Sequence, residues 1–200
     1  MRPVRVEEAE VVAHWLRLEP DASDDPSALS RADALDALLT ANPGAAAFVW
    51  QVRPATWYRL RLPRERFGRL RVIEGPEELG WHALSPDGTV LGAARRIEEG
   101  TTRLPDSSTI DVDLVERLAD DLARGEALPA VVATTRRGCA PTHVVDGNHR
   151  ATATGLHLLR TGAYEPLEAY LGVGANPVLA PIRERLCGAA RRLLDGDSIQ

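Results

Sequence analysis

The sequence predicts an α+β fold: a small mixed β-sheet with flanking helices and an N-terminal helical extension. Two segments, 112–124 and 148–161, carry apolar residues at spacings of three and four, the pattern of helices that pack on one face. Short apolar runs at 130–133, 143–145 and 167–171 are typical of strands. Because these runs alternate with the helical segments, the sequence favours a sheet covered by helices.

Polar residues and glycines predict where these elements end. Asp111 is a favourable N-cap for the helix 112–124, and Gly125 follows the last apolar residue of that helix. A turn is expected over 136–141, between two of the strands. Gly172 and Gly174 predict a loop after the strand that ends at residue 171.

The first 87 residues form the predicted extension. Apolar stripes predict helices over 5–18 and 28–41. Alternating apolar and polar residues predict strands over 46–52, 56–62 and 69–73. Asp87-Gly88 predicts a hairpin turn, followed by a strand from Val90 to Ile97.

The predicted organisation has three parts. Residues 1–87 are the extension, 88–172 are the core, and 173–200 form a C-terminal segment. In that last segment, apolar residues from Ile182 to Leu194 predict a closing helix.

The composition excludes several kinds of chemistry. All 24 basic residues are arginine, so the chain has no lysine for a Walker-type phosphate loop or a Schiff base. A bound phosphate would have to be held by arginine, backbone N–H groups or a metal ion. No apolar run reaches the roughly 20 residues of a membrane helix, and the N-terminus lacks the pattern of a signal peptide. We therefore expect a cytoplasmic protein with no membrane partner.

The net charge of −5 does not favour DNA as a partner, although a local basic surface is present in the sequence. It consists of Arg59, Arg61, Arg64, Arg66, Arg69 and Arg71. Alternation with apolar residues favours a strand whose arginines face water, and a nucleic-acid surface is the alternative. The nearby Trp57 and Trp81 are expected in the core.

The segment 146–150, Asp-Gly-Asn-His-Arg, carries the chemistry that the sequence predicts most directly. It lies between a predicted strand and a predicted helix, where free backbone N–H groups and the helix dipole favour an anion. Gly147 allows a tight turn, and Arg150 offers two parallel hydrogen bonds to phosphate oxygens. His149 is a further donor, and Asp146 is a candidate metal ligand or base.

Residues 144–153, with this turn at their centre, resemble the phosphate-binding motif of the ParB/sulfiredoxin-like superfamily. That superfamily includes the ParB nucleotide-binding domain, sulfiredoxin and free-serine kinases. The order of the surrounding segments is also similar, from Arg103 and Asp111 to the strand at 167–171. The resemblance covers about 88–172 and implies a nucleotide-binding core in which Gly147, Asn148, His149, Arg150 and Arg103 hold the nucleotide.

Departures from the family separate its branches. Asn148 stands where sulfiredoxin has its reactive cysteine, so the reductase activity is not expected. About one helix follows residue 172, which is too little for the helix-turn-helix domain of ParB. The Asp-Gly-x-His-Arg turn is most similar to the free-serine kinase branch. That branch uses an upstream glutamate as base toward the substrate hydroxyl, a role for which Glu98 and Glu99 are both candidates.

The resemblance implies an enzyme that uses ATP and Mg²⁺, either a small-molecule kinase or a nucleoside triphosphate hydrolase. Glu98, Glu99, Asp146 and His149 are its candidate catalytic residues, Asp146 is the candidate metal ligand, and the partners are a nucleotide and a small-molecule acceptor. One alternative is a ParB-like nuclease or DNA-associated nucleotide switch. Another is a non-catalytic nucleotide-binding regulator.

Overall fold

The computed structural model describes residues 2–20, 26, 29–45, 55–73, 80–102, 104, 108–136 and 139–174. The strand predicted over 46–52 and the closing helix predicted from Ile182 lie outside these residues. Arg103 lies outside them as well.

Within the described residues, six strands form one mixed sheet, which confirms the predicted fold class. They are β1 (Val4–Val6), β2 (Ala55–Arg61), β3 (Leu70–Arg71), β4 (Val131–Arg136), β5 (Cys139–Asp146) and β6 (Glu168–Gly174). Their order across the sheet is β1-β2-β6-β4-β5-β3. The β6–β4 and β5–β3 pairs are parallel, and the others are antiparallel. Residues on both sides of residue 88 therefore contribute strands to the same sheet.

Helices cover both faces of this sheet. The described helices are α1 (Glu8–Leu16), α2 (Arg31–Ala41), α3 (Arg64–Phe67), α4 (Trp81–Leu84), α5 (Val90–Glu98), α6 (Val112–Ala123) and α7 (Asn148–Thr161). On one face α1 and α2 bury Trp57, Val132 and Tyr170. On the other face α5, α6 and α7 bury Val131, Val144 and Ala169. Adjacent residues of β4 thus enter different cores, as the alternation of side chains along a strand requires.

The segment from Val90 to Ile97 is a helix, so its prediction as a strand was wrong. Thr89 caps α5 by accepting a hydrogen bond from the Gly92 N–H at 2.8 Å. Val90, Ala93, Ala94 and Ile97 are buried, which is the i, i+3, i+4, i+7 spacing of a helix. The predicted hairpin at Asp87-Gly88 is likewise replaced by a turn between α4 and α5, in which Gly88 has a φ of 68°.

Several boundaries differ from the prediction by a few residues. Residues 4–6 form an edge strand, and the first helix begins only at Glu8. Gly172 and Gly174 belong to β6, and Gly172 lies directly against the indole of Trp57. Cys139 to Pro141, which were predicted to belong to a turn, are part of β5. The helix α7 has the predicted bounds, and Asp111 caps α6 through the Leu114 N–H at 2.8 Å.

Among the described residues, no helix combines the length and the apolar character needed to cross a membrane.

Candidate phosphate-binding site

The turn at 146–148 joins the buried end of β5 to the first residue of α7. Gly147 has a φ of 84°, a conformation that side-chain-bearing residues rarely adopt. A side-chain carbon at Gly147 would also lie 2.6 Å from Arg150 Nη2 and 2.8 Å from Val131 Cγ1. Both the backbone angle and the available space therefore require glycine here. The first turn of the 14-residue helix α7 begins immediately after it.

Arg150 folds back over this turn and pairs with Asp146. Arg150 Nη2 donates to Asp146 Oδ2 at 2.6 Å, with 13% and 21% of the two side chains exposed. Burial raises the pKa of Asp146, and the neighbouring Arg150 guanidinium acts in the opposite direction. Arg150 Nε is buried and has no hydrogen-bond partner among the described residues. The guanidinium thus retains a donor beyond the one that Asp146 uses.

Asn148 has a structural role in addition to its place at the start of α7. Its side chain is 6% exposed, and Oδ1 accepts a hydrogen bond from the Ile73 N–H at 2.9 Å. This contact ties the first residue of α7 to the segment that follows β3. Asn148 can therefore offer a ligand its backbone N–H, while its side-chain oxygen is already used.

His149 connects the start of α7 to the start of α6. Its Nε2 accepts a hydrogen bond from the Asp111 N–H at 3.0 Å, which places the proton of the neutral ring on Nδ1. The ring lies edge-on to the buried Trp81, with centroids 5.1 Å apart. Burial lowers the pKa of His149, and the nearby Asp111 only partly opposes this. His149 is therefore neutral at pH 7, and the N-terminal ends of two helices meet beside it.

The helix α1, from the N-terminal extension, lies beside the same turn. His14 Nε2 donates to the Ala130 carbonyl at 2.9 Å. Val132, two residues after Ala130, is paired with Asp146, so Ala130 lies at the same end of the sheet as the turn. The charges of Asp146 and Arg150 both act on the pKa of His14, and that of Glu19 acts on the pKa of Asp146. The extension thus lies close enough to the turn for its charged groups to interact with Asp146 and Arg150.

The two upstream glutamates do not lie at the turn. Glu98 forms an ion pair with Arg160, at 2.7 Å, near the C-terminal end of α7. Arg160 is twelve residues after Asn148, roughly 18 Å along the helix at 1.5 Å per residue. Glu99 is the exposed C-cap residue of α5 and follows Glu98 at this distant end. The expectation that either glutamate acts as the base is therefore corrected. Residues 90–98 form a helix and not the expected strand, and the C-terminal end of this helix lies away from the turn.

Four of the clustered arginines, on or next to β2 and β3, have hydrogen-bond or ion-pair partners. Arg59 and Arg61 both pair with Glu168, at 3.0 and 3.1 Å. Arg69 pairs with Glu65 at 3.3 Å, and Arg71 donates to the Asp87 carbonyl oxygen. This arrangement agrees with a solvated strand face, because Arg59, Arg61 and Arg69 are more than half exposed and share two carboxylates.

The metal-ligating groups near the turn are few. Within the described part of the chain, no three His, Cys, Asp or Glu side chains come together as a metal site would need. Asp146 is the carboxylate of the turn, and one of its oxygens is bonded to Arg150. Asp146 could therefore contribute at most one carboxylate to a Mg²⁺ ion, whose other ligands would have to be water or the oxygens of a bound phosphate.

Sequence reasoning identified the turn but not the residues that surround it. His14 and Ala130 are 116 positions apart, and Asp111 and His149 are 38 positions apart. No periodic pattern relates such pairs, since only the packing of α1 and α6 brings them together. The single usable signal was Asp111, which the sequence predicted as an N-cap and which lies at the site for that reason.

Comparisons with known proteins add no relative. No protein-family model, curated protein or solved structure matches the chain.

Proposed function

We propose that the protein binds the phosphate groups of a nucleoside triphosphate with Mg²⁺ at the start of α7, and that it transfers or hydrolyses the terminal phosphate. One observation carries this proposal: Gly147, in a left-handed conformation, opens a 14-residue helix whose first turn is covered by the Arg150 guanidinium. An anion there would meet free N–H groups, the helix dipole and a planar cation. The likeness of residues 146–150 to the ParB/sulfiredoxin-like motif supports the same proposal.

Positioning and neutralisation of charge would account for the chemistry. Phosphoryl transfer depends chiefly on holding the reacting groups in line and on stabilising the charge of the transferred group. Arg150 would bind phosphate oxygens, and the N–H groups at the start of α7 would bind others. His149 would donate from Nδ1, since its Nε2 is bonded to the Asp111 N–H. Bound Mg²⁺ would supply further charge neutralisation. ATP is the expected nucleotide, with a small hydroxyl-bearing molecule or water as acceptor.

The test is a calorimetric titration with ATP, ADP, CTP and GTP, each with Mg²⁺. Charged hydrogen bonds contribute about 1.5–3 kcal/mol each, so Arg150→Ala should weaken triphosphate binding at least ~10-fold. Arg160→Ala is the matched control, because it removes an arginine from the other end of the same helix. Equal affinity of the wild type and Arg150→Ala would exclude the turn as the phosphate site.

A phosphate-release assay, run with and without small hydroxyl compounds, separates the catalytic proposal from its alternatives. Release or transfer of phosphate supports an enzyme. Binding of a triphosphate with no turnover in any mixture indicates a nucleotide-binding regulator. Turnover that depends on duplex DNA indicates a DNA-associated switch.

A further inference from the structure

We propose that His14, in the N-terminal helix α1, is the proton acceptor of the phosphoryl-transfer site. The inference rests on the proposed function and names the residue that would replace the distant glutamates. It concerns a part of the chain that the family resemblance does not cover.

One hydrogen bond to the backbone fixes the position of His14. Its Nε2–H donates to the Ala130 carbonyl at 2.9 Å, and Ala130 stands at the beginning of β4. Across the sheet, Val132 is paired with Asp146, so the residues before Val132 lie beside the turn that follows Asp146. The hydrogen bond thus holds the imidazole at the same end of the sheet as Gly147. The ring of Tyr170 packs against the imidazole of His14, with the two centroids 4.8 Å apart.

The hydrogen bond to Ala130 also determines which ring nitrogen can accept a proton. A carbonyl oxygen only accepts, so the neutral ring carries its proton on Nε2 and its free lone pair on Nδ1. Among the described residues, Ala130 is the only hydrogen-bond partner of this ring. The side chain of His14 is half-buried, so a ligand in solution can still reach Nδ1. His149 has the opposite arrangement, because its Nε2 lone pair is occupied and its Nδ1 is a donor.

The surroundings keep His14 neutral at physiological pH. Burial is the main cause of its lowered pKa, the hydrogen bond to Ala130 acts against it, and the positive charges of Arg150 and Arg17 lower the pKa further. Asp146 acts in the opposite direction. Tyr170 contacts the ring, and its hydroxyl donates to Glu10 at 3.1 Å. A base must be unprotonated to act, and this environment provides that state near pH 7.

In the proposed step, the O–H bond of the acceptor hydroxyl breaks as its oxygen bonds to the γ-phosphorus. The bond from that phosphorus to the β-bridging oxygen breaks, and its electron pair leaves with the nucleoside diphosphate. The hydroxyl proton passes to Nδ1 of His14. Transfer to water follows the same balance and yields inorganic phosphate.

The experiment uses His14→Gln in the full chain. Glutamine places an amide N–H close to the position of Nε2, so it can keep the hydrogen bond to Ala130 while removing the titratable nitrogen. We expect kcat to fall at least ~100-fold, the usual lower range for loss of a general base, with the Kd for MgATP changed less than ~3-fold. The same substitution at the exposed His82 is the control and should leave both values unchanged.

Two further measurements test the role and not the fold. Because the pKa of His14 is lowered from its ordinary value of about 6.5, the wild-type kcat should fall only below that pH, and the residual activity of His14→Gln should depend less on pH. Added imidazole should restore part of the turnover of His14→Ala. If His14→Gln does not fold, the imidazole experiment decides the question.

The outcomes separate the two proposals. Failure of the wild type to bind any triphosphate would refute the proposed function. Binding together with unchanged kcat in His14→Gln would refute the role of His14 alone. Binding without turnover under every acceptor would also refute it, because no proton would then be transferred. No restoration of His14→Ala by imidazole would count against the role if His14→Gln could not be measured.

Discussion

Asp146 and Arg150 form an ion pair across the first turn of α7, with a 2.6 Å contact between side chains that are both mostly buried. The pair explains why the guanidinium lies over Gly147 and does not extend into water. It also means that a bound phosphate would compete with Asp146 for the same cation. The pair therefore has consequences both for stability and for ligand binding.

Removal of Arg150 should destabilise the protein at neutral pH. Arg150→Ala leaves the buried Asp146 carboxylate without its cation, which we expect to cost roughly 2–3 kcal/mol in the free energy of unfolding. Since burial already raises the pKa of Asp146, the carboxylate can take up a proton at lower pH and so reduce this cost. Urea unfolding at pH 7 and pH 5 should show the smaller loss at pH 5. An equal loss at both values would mean that the pair does not control the charge of Asp146.

The space above Gly147 can be tested with a matched pair of substitutions. Gly147→Ala introduces strain at a φ of 84° and a carbon that meets Arg150 and Val131. We therefore expect the free energy of unfolding to fall by more than ~2 kcal/mol and phosphate binding to be lost. Gly162, at the other end of the same helix, has a φ of 72° but no atom within 4 Å of such a carbon. Gly162→Ala should cost only about 1 kcal/mol. Equal losses in the two variants, measured by thermal or urea unfolding, would contradict the proposed close packing over the turn.

Acidification should lower the free energy of unfolding, because His149 is neutral in the folded protein. Its pKa is lowered in the folded state, so the unfolded chain takes up the proton first as the pH falls. The stabilisation from neutral His149 is complete above about pH 6.5 and is lost as the pH falls from there toward the folded-state pKa. His149→Gln keeps an acceptor for the Asp111 N–H and does not titrate. Unfolding free energies measured from pH 5 to 8 should depend less on pH in this variant than in the wild type, and parallel curves would contradict the assignment.

The glutamate at the far end of α7 should be dispensable for the site. Glu98 and Arg160 are 41% and 35% exposed, so their pair should contribute less than about 1 kcal/mol. Glu98→Gln is expected to leave MgATP affinity and turnover within about two-fold of wild type, because the carboxylate pairs with Arg160 near the opposite end of α7 from the turn. A large loss of kcat in a folded Glu98→Gln protein would restore the role that the sequence suggested.

Duplex DNA should bind weakly or not at all near 0.15 M salt. The protein has a net charge of −5, and Glu168 pairs with both Arg59 and Arg61. Exposed charges are screened beyond about 8 Å at this ionic strength. A gel-shift titration against salt is the measurement. Tight binding that weakens steeply with salt would instead support the DNA-associated alternative.

Short-range patterns in the sequence were sufficient to predict those elements of the candidate site that are set by neighbouring residues. The helix 148–161 and the N-cap Asp111 were predicted correctly, because capping and apolar spacing act within a few residues. The segment 90–97 was assigned as a strand although Val90, Ala93, Ala94 and Ile97 have helical spacing, so this error was avoidable. The position of His14 was not predictable in the same way. It depends on how α1 packs on the sheet, which no short pattern in the sequence records.

The strand order has a consequence for how the chain could be divided. The strands β4, β5 and β6, which all follow residue 88, are bordered by β2 on one side and by β3 on the other, and both border strands precede residue 88. A fragment beginning at residue 88 would therefore expose unpaired backbone along β6 and along β5, which favours aggregation over folding. The fragments before and after residue 88 should fold only when they are mixed, because each completes the sheet of the other. The intact chain should unfold in a single cooperative transition.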